Sequence, residues 1–158
     1  MYIDAKLEFS SAQALTTTAV GTNVKDLATA RSIGNGEPMS MVFVVTVAAD
    51  QTTGDEDYTF QVEYASNAAQ STGRQLIGER NFESGTPTAP AQNADLLVAG
   101  FTFAIPIPAT NASEDGQFLG IRYVLAGTSP SITCDAFLVP SCDVALYNPY
   151  PNNYTVTS

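Results

Sequence analysis

The sequence predicts an all-β protein, built as a single sandwich or barrel of about eight short antiparallel strands. Three observations lead to this fold class. Several segments alternate between apolar and polar residues with a period of two, as half-buried strands do. Clusters of glycine, proline, asparagine and serine separate these segments, which is typical of turns between strands. The chain has 158 residues, which suits one domain, and no segment predicts a long helix.

The N-terminal part of the chain predicts two short strands followed by one fully buried strand. Residues 6–9 and 23–27 are the short strands, and the turn sequence Ile33-Gly-Asn-Gly-Glu-Pro38 follows them. Residues 39–48 are apolar at both odd and even positions. Because a strand that is covered on both faces has this pattern, we expect residues 39–48 in the centre of a sheet.

The middle of the chain predicts three further strands. Residues 58–65 alternate most cleanly, with Tyr58, Phe60, Val62 and Tyr64 expected to face the core and Thr59, Gln61 and Glu63 to face outward. Residues 74–82 predict a weaker strand. Residues 101–107 alternate again, and Pro106 removes a hydrogen-bond donor, so this strand is expected to end or to lie at an edge there.

Residues 118–139 give the strongest strand signal, as two runs on either side of Gly127-Thr-Ser-Pro130. Each run has one apolar face: Leu119, Ile121, Tyr123 and Leu125 in the first, and Ile132, Cys134, Ala136 and Leu138 in the second. We interpret the two runs as a long antiparallel hairpin. Arg122 has the opposite phase and is expected to pair with an acidic residue, in its own subunit or in a partner.

Residues 1–142 are expected to form the domain, including an N-terminal lead-in, and residues 143–158 an extended C-terminal arm rich in tyrosine, proline and asparagine. The arm is expected to dock on a neighbouring subunit, to lie over its own domain or to remain disordered. Periodicity does not distinguish a jelly-roll topology from an immunoglobulin-like one. The Cys…Trp…Cys signature of true immunoglobulin domains is absent, because the chain has no tryptophan.

The charge and composition exclude several classes of function. The net charge is −10, with only six lysines and arginines, so we expect no nucleic-acid partner and no binding to anionic membranes. The absence of histidine removes the commonest acid–base residue, the Ser-His-Asp and Cys-His nucleophiles and the imidazole ligands of catalytic zinc. The N-terminus does not resemble a signal peptide, and no apolar run is long enough to span a membrane. We expect a soluble product of the cytoplasm, in which Cys134 and Cys142 are free thiols.

Two candidate sites rest on carboxylates. The acidic segment 50–57 surrounds Gly54 and contains Asp50, Asp55, Glu56 and Asp57, but its spacing does not match a calcium-binding EF-hand loop, and we expect a solvated hairpin loop. Glu63, Glu79 and Glu83 are the candidates for a glycosidase pair, which requires two carboxylates roughly 5 to 10 Å apart. The chain has no tryptophan on which a sugar could stack, although tyrosines could replace it. No catalytic residue, metal site or cofactor is predicted, and we expect no enzymatic activity.

Three segments occur here in one order: residues 1–14 (Met-Tyr-Ile-Asp-Ala-Lys-Leu-Glu-Phe-Ser-Ser-Ala-Gln-Ala), the turn 33–38 and the strand pair 118–139. In this arrangement the chain resembles the Bbp16-like family of small capsid cement, or decoration, proteins of podovirus-type tailed bacteriophages. The resemblance implies a jelly-roll β-sandwich without enzymatic activity that lies on the outer face of an HK97-like capsid shell. It also implies a homo-oligomer, a dimer or a trimer, that bridges neighbouring major capsid proteins in the virion. It carries over no catalytic residues.

We expect the ends of the chain to make the intermolecular contacts, because flexible ends gain most order on binding a partner. The interface candidates are Tyr2, Ile3, Leu7, Phe9, Tyr147, Tyr150 and Tyr154. The competing hypothesis is a carbohydrate-binding β-sandwich that acts as a surface adhesion module.

Overall fold

The protein folds into two antiparallel sheets that pack face to face around one core. The computed structural model describes residues 5–29, 33, 36–84, 94–108 and 116–147. The strands are β1 (Glu8–Leu15), β2 (Ala19–Val20), β3 (Lys25–Asp26), β4 (Met39–Val47), β5 (Asp57–Ala65), β6 (Gln75–Glu83), β7 (Thr102–Ile107), β8 (Phe118–Ala126) and β9 (Ile132–Pro140). Three short 3₁₀ helices accompany them: Ala5–Leu7, Ala94–Leu96 and Ser141–Tyr147. The predicted all-β class is confirmed.

The order of the strands is that of a jelly roll. Sheet A has the order β1-β9-β4-β7, and sheet B has the order β2-β8-β5-β6, with β3 also paired to β8. The chain crosses from one sheet to the other at almost every connection, and β5 and β6 are the consecutive long strands that pair with each other. A four-stranded and a five-stranded sheet whose strands are connected in this alternating way define the jelly-roll sandwich, so the chain adopts this topology and not the immunoglobulin-like one.

The core consists of the inward-facing residues that the alternation predicts. Tyr58, Phe60, Val62 and Tyr64 of β5 are buried, as are Leu119, Ile121 and Tyr123 of β8 and Ile132, Cys134, Ala136 and Leu138 of β9. Phe60 packs against the rings of Phe43, Phe82, Phe103 and Tyr123, with ring centroids 4.9 to 5.8 Å apart. Each such aromatic pair contributes about 0.5–1.5 kcal/mol beyond the burial of its area, so the aromatic cluster fixes how the two sheets face each other.

The predicted hairpin at residues 118–139 is wrong. The strand β8 pairs with β5 in sheet B, whereas β9 pairs with β4 and β1 in sheet A. The turn between them therefore carries the chain across the sandwich. The interpretation as a hairpin fails because both sheets direct their apolar faces into one core, so two alternating runs look alike whether they pair side by side or face each other. At this crossing Gly127 has a φ of +93° and packs against the backbone of Asp55 and Glu56.

The strand β4 is central and covered on both sides, as its apolar sequence predicts. It lies between β9 and β7, and its core-facing residues Met41, Phe43 and Val45 are fully buried. On the outer face Val42 is also fully buried, and the 3₁₀ helix Ser141–Tyr147 contacts β4, β7 and β9. The hydroxyls of Ser40 and Ser141 lie 2.8 Å apart and join this helix to β4.

The two ends of the described chain differ in detail from the expected strands. The segment that predicts a strand at 6–9 begins as the 3₁₀ helix Ala5–Leu7, and β1 then continues to Leu15 with two register shifts against β9. Of the predicted arm, residues 143–147 belong to the 3₁₀ helix Ser141–Tyr147, and residues 148–158 lie outside the described residues.

Candidate functional site

The predicted interface residues fall in different parts of the fold. Tyr2, Ile3, Tyr150 and Tyr154 lie outside the described residues, and Tyr147 ends the 3₁₀ helix Ser141–Tyr147. Leu7 is partly buried and packs against the core. Phe9 needs a correction, because its side chain is fully buried within the core of its own domain. A side chain with no exposed surface stabilises the domain and is not available to a second protein.

The outer face of sheet B carries a buried ionic network that joins three segments. The Glu63 carboxylate is only 1% exposed and forms ion pairs with Arg74 at 2.7 Å and with Arg122 at 3.0 Å. Arg122 also donates to the carbonyl of Gln70. The predicted pairing of Arg122 is therefore confirmed as an intramolecular one. Sequence reasoning placed Arg74 in the predicted strand 74–82 and missed its role, because no sequence pattern connects it to Glu63; in the structure it lies just before β6.

This network is buried because the loop between β5 and β6 folds back over the outer face of sheet B. The Gln70 side chain is fully buried and lies over Gly120 of β8. A Cβ atom at Gly120 would lie 2.5 Å from the end of the Gln70 side chain, so any larger residue there would displace the Gln70 amide group. Glu63 faces outward, as predicted, and is nevertheless covered.

The acidic segment 50–57 is held by donors from its own end of the sandwich. Asp55 accepts hydrogen bonds from the Thr53 hydroxyl and from the backbone N–H and hydroxyl of Thr128. These donors, the Thr53 hydroxyl first, hold the pKa of Asp55 below its usual value. The segment connects β4 of sheet A to β5 of sheet B, so the predicted hairpin loop is wrong, because a hairpin joins two strands of one sheet. Asp55 itself is exposed, as predicted for a solvated loop, and its hydrogen bonds join this connection to the β8–β9 crossing.

Glu56 is the buried member of the same segment. Its side chain is 1% exposed, and its carboxylate accepts hydrogen bonds from the backbone N–H groups of Thr53 (3.0 Å) and Gly54 (2.9 Å). Burial by itself would raise the pKa of Glu56, but the Thr53 hydroxyl and the backbone N–H of Thr53 outweigh it, and the pKa is lowered. Glu56 is therefore a structural carboxylate at neutral pH.

The pKa of Asp57 is shifted in the opposite direction to that of Glu56. It pairs in register with Glu83 across β5 and β6, and its Oδ1 atom is buried without a hydrogen-bond partner. Burial, and then the neighbouring charge of Glu83, raise the pKa of Asp57. Two carboxylates that repel each other on a solvent-facing sheet reduce stability at neutral pH.

The three glutamates considered for glycosidase chemistry do not form a matched pair. Glu63 is neutralised by two arginines, and exposed Glu79 accepts a hydrogen bond from Gln61. Glu79 and Glu83 are four residues apart on β6, which places them about 13 Å from each other along a strand. Retaining and inverting mechanisms need separations of about 5 to 9.5 Å, so this strand does not supply them.

The large hydrophobic side chains that are exposed on the described residues are Val47, Leu76, Leu96 and Val98. Leu76 lies on β6 of sheet B, but the other three lie on two neighbouring backbone segments at one end of sheet A. Backbone hydrogen bonds join Ala49 to Leu97 (2.9 Å) and Gly100 to Val45 (2.8 Å), so the end of β4 runs beside residues 97–100. The alternating pattern did not predict this cluster, because it predicted Val47 as part of a strand covered on both faces.

The described residues also include two cysteine thiols. Both cysteines are free, as predicted, with Cys134 buried and Cys142 exposed. Burial, together with the charge of Asp135, raises the pKa of Cys134 to about 12, so its thiol stays protonated at neutral pH. Within the described ranges, no group of three or more histidine, cysteine, aspartate or glutamate side chains is arranged to hold a metal ion. A search of the same ranges also finds no helix with the length and hydrophobicity needed to cross a bilayer.

The fold defines the class: a single jelly-roll domain, an architecture shared by viral capsid proteins, lectins and cupins. The chain belongs to the Bbp16 family, whose model matches residues 9–138. This family is associated with bacteriophages, and membership supports a structural protein of a virus, associated with the virion, as the class of function. The predicted relationship to Bbp16-like proteins is thereby confirmed.

Comparison with other known proteins adds little beyond the family. No curated protein matches the chain. Among solved structures, the chain is similar to one titled as the structure of the Gx strain of infectious bursal disease virus, with 14% sequence identity and a TM-score of 0.39. The match covers 84% of this chain and 30% of the viral chain.

Proposed function

We propose that this protein is a capsid cement protein that binds the outer surface of a tailed-phage shell and bridges neighbouring major capsid proteins. The observation that carries the proposal is membership of the Bbp16 family over residues 9–138. The resemblance to cement proteins supplies the role, and the proposed partner is a major capsid protein of the HK97-like fold. In this role the protein has no enzymatic activity.

The mechanism of a cement protein is multivalent binding. Each contact between a subunit and the shell is modest, but a homo-oligomer that spans several shell subunits raises the effective concentration at each further contact. A footprint that crosses subunit boundaries exists only on the assembled lattice. Binding to that lattice stabilises it by mass action against the outward pressure of packaged DNA.

The charge of the chain supports a position outside the shell. A net charge of −10 opposes contact with packaged DNA, whose phosphates bind cationic surfaces. On the outer face the shell separates this acidic protein, which has only six lysines and arginines, from the phosphates of the genome. The jelly-roll sandwich itself acts as a rigid spacer, and surfaces and chain ends make the contacts.

Co-sedimentation with capsid shells of the same virus tests this function. The full chain is added to shells from which it has been removed, before and after the shells expand. The proposal predicts saturable binding to expanded shells and a higher temperature of shell disruption when the protein is bound. Failure to sediment with expanded shells would reject the cement role.

A glycan array applied to the same sample distinguishes the competing adhesion module. A cement protein is expected to leave the array empty and to bind the shell. Binding to a sugar without binding to the shell would favour the carbohydrate-binding sandwich instead.

A further inference from the structure

An exposed apolar cluster lies at the end of sheet A where β4 finishes. Val47 is 58% exposed, Val98 53% and Leu96 39%, and we name these three residues the β4 patch. Ordinary surfaces carry scattered apolar side chains, but three of the four exposed large ones on the described residues lie here, on two adjoining backbone segments. A grouped apolar surface with a polar rim is typical of a protein–protein contact.

A β-bulge turns Val47 to the outside. Val45 pairs with Cys134 on the core side of β9, and Val47 pairs with Thr133, so Thr46 is an extra residue in β4. Without the bulge, Val47 would continue the inward series of Phe43 and Val45. Bulges that re-aim a side chain often occur where a strand serves a binding site.

The rim of the β4 patch is acidic. Asp50 follows the end of β4, and Asp95 precedes Leu96. Asp135 stands two positions after Thr133 on β9, opposite Val44, and its carboxylate accepts a hydrogen bond from the backbone N–H of Ala12. The five cationic residues that the structure describes lie elsewhere. Arg74, Arg80, Arg122 and Lys25 belong to sheet B or its loops. Lys6 lies just before β1, at the end of sheet A opposite the β4 patch. The described part of this surface therefore combines apolar side chains with carboxylates.

We propose that the β4 patch is the surface by which this protein docks on the shell, at a site with an apolar centre and a rim of lysines and arginines. The inference rests on the proposed cement function and names the contact surface for it. A rim of lysines and arginines on the shell would complement the charges of Asp50, Asp95 and Asp135. This charge complementarity selects the shell as the occupant.

The same charges disfavour two other occupants. A second copy that docked through the same patch by a two-fold axis would place three aspartates against three aspartates. The C-terminal residues 148–158 (Asn-Pro-Tyr-Pro-Asn-Asn-Tyr-Thr-Val-Thr-Ser) carry no charged side chain, so they offer no cation to the three aspartates.

The test measures binding of full-length variants to expanded shells that lack this protein. Val47→Lys and Val98→Lys are each expected to weaken binding about tenfold or more, because a buried apolar contact becomes a cation facing a basic rim. Asp95→Lys is expected to weaken binding and to reduce its salt dependence. The matched control is Leu76→Lys, which changes an equally exposed leucine on sheet B and is expected to stay within about twofold of the parent.

Each outcome is decisive. Val47→Thr keeps the shape and the strand preference of valine, so this variant is expected to fold normally. A smaller but measurable loss of shell binding by this variant would show that the losses in the lysine variants are not caused by misfolding. Equal shell binding by parent and variants would overturn the β4 patch while leaving the cement function in place, whereas no binding by the parent would reject both. If the free variants have a lower mass in solution than the parent, the β4 patch is instead a contact between two copies of the chain. A lowered melting temperature with unchanged shell binding would assign it to the chain's own C-terminal residues.

Discussion

Glu63 is an outward-facing residue whose carboxylate is nevertheless buried, and its ion pairs hold a loop against sheet B. The alternation of β5 predicts that Glu63 faces outward, and it does, yet Arg74, Arg122 and the loop that contains Gln70 remove it from water. A buried ion pair adds little net stability, but removing one partner leaves the other charge buried and unpaired. The network thus fixes the position of a loop on sheet B.

Glu63→Gln is expected to lower the free energy of unfolding by about 2–3 kcal/mol, because Arg122, which is only 15% exposed, loses its counter-charge. Chemical denaturation at pH 7 measures the change. Glu79→Gln, an exposed glutamate on the adjoining strand, is the control and is expected to cost less than about 0.5 kcal/mol. Equal effects at the two positions would show that the network contributes nothing specific.

Asp57→Asn is expected to stabilise the protein at pH 7, because it removes the repulsion from Glu83 across β5 and β6. A carboxyl group whose pKa is raised on folding favours the folded state at low pH and loses that contribution as the pH rises through the folded pKa. The melting temperature should therefore rise by about 2 °C at pH 7, a small gain because water screens the pair. It should change little at pH 3. Asp95→Asn serves as the exposed control, and a lower melting temperature for Asp57→Asn at pH 7 would contradict the interpretation.

At the scale of elements, the sequence predicts which residues face the core better than which strands are neighbours. The inward residues of β8 and β9 were all predicted, but the two strands belong to different sheets. Period-two alternation records burial alone, and both sheets of a sandwich bury their faces in one core. Contacts such as Glu63 with Arg122, 59 positions apart, depend on this pairing and could not be predicted from the chain.

Gly127→Ala is expected to destabilise the protein by about 3 kcal/mol, because the β8–β9 crossing combines a positive φ with close contact. A Cβ there would lie 2.3 Å from the carbonyl oxygen of Asp55. Gly100 is the matched control: its φ is +89°, but a Cβ meets nothing within 4 Å, so Gly100→Ala is expected to cost only about 1 kcal/mol. Thermal or chemical unfolding measures both, and a similar cost at the two positions would show that the contact with Asp55 is unimportant.

At the scale of the whole molecule, the all-β class followed from the alternation, and the jelly-roll topology was implied by the resemblance to Bbp16-like proteins. The interaction surface was predicted less well. Phe9 was chosen because it is a large apolar residue near a chain end, but the fold buries it. The β4 patch was missed because a bulge, which no local pattern reveals, exposes Val47.

A bridging role also predicts the mass of the protein in solution. The free protein is expected to be a homo-oligomer, a dimer or a trimer, since a single domain of 16.7 kDa has few ways to span several shell subunits. Sedimentation velocity or light scattering over a range of concentrations measures this. A strict monomer at all concentrations would contradict bridging by a preformed oligomer.

The most direct test of the central claim is a cryo-electron microscopy map of expanded shells to which the full-length protein has been added. The cement function predicts jelly-roll density on the outer surface, placed across the boundaries between major capsid proteins, with the β4 patch turned towards the shell. Density confined to the inner surface, to a tail structure or to the interior of a single capsid subunit would contradict it.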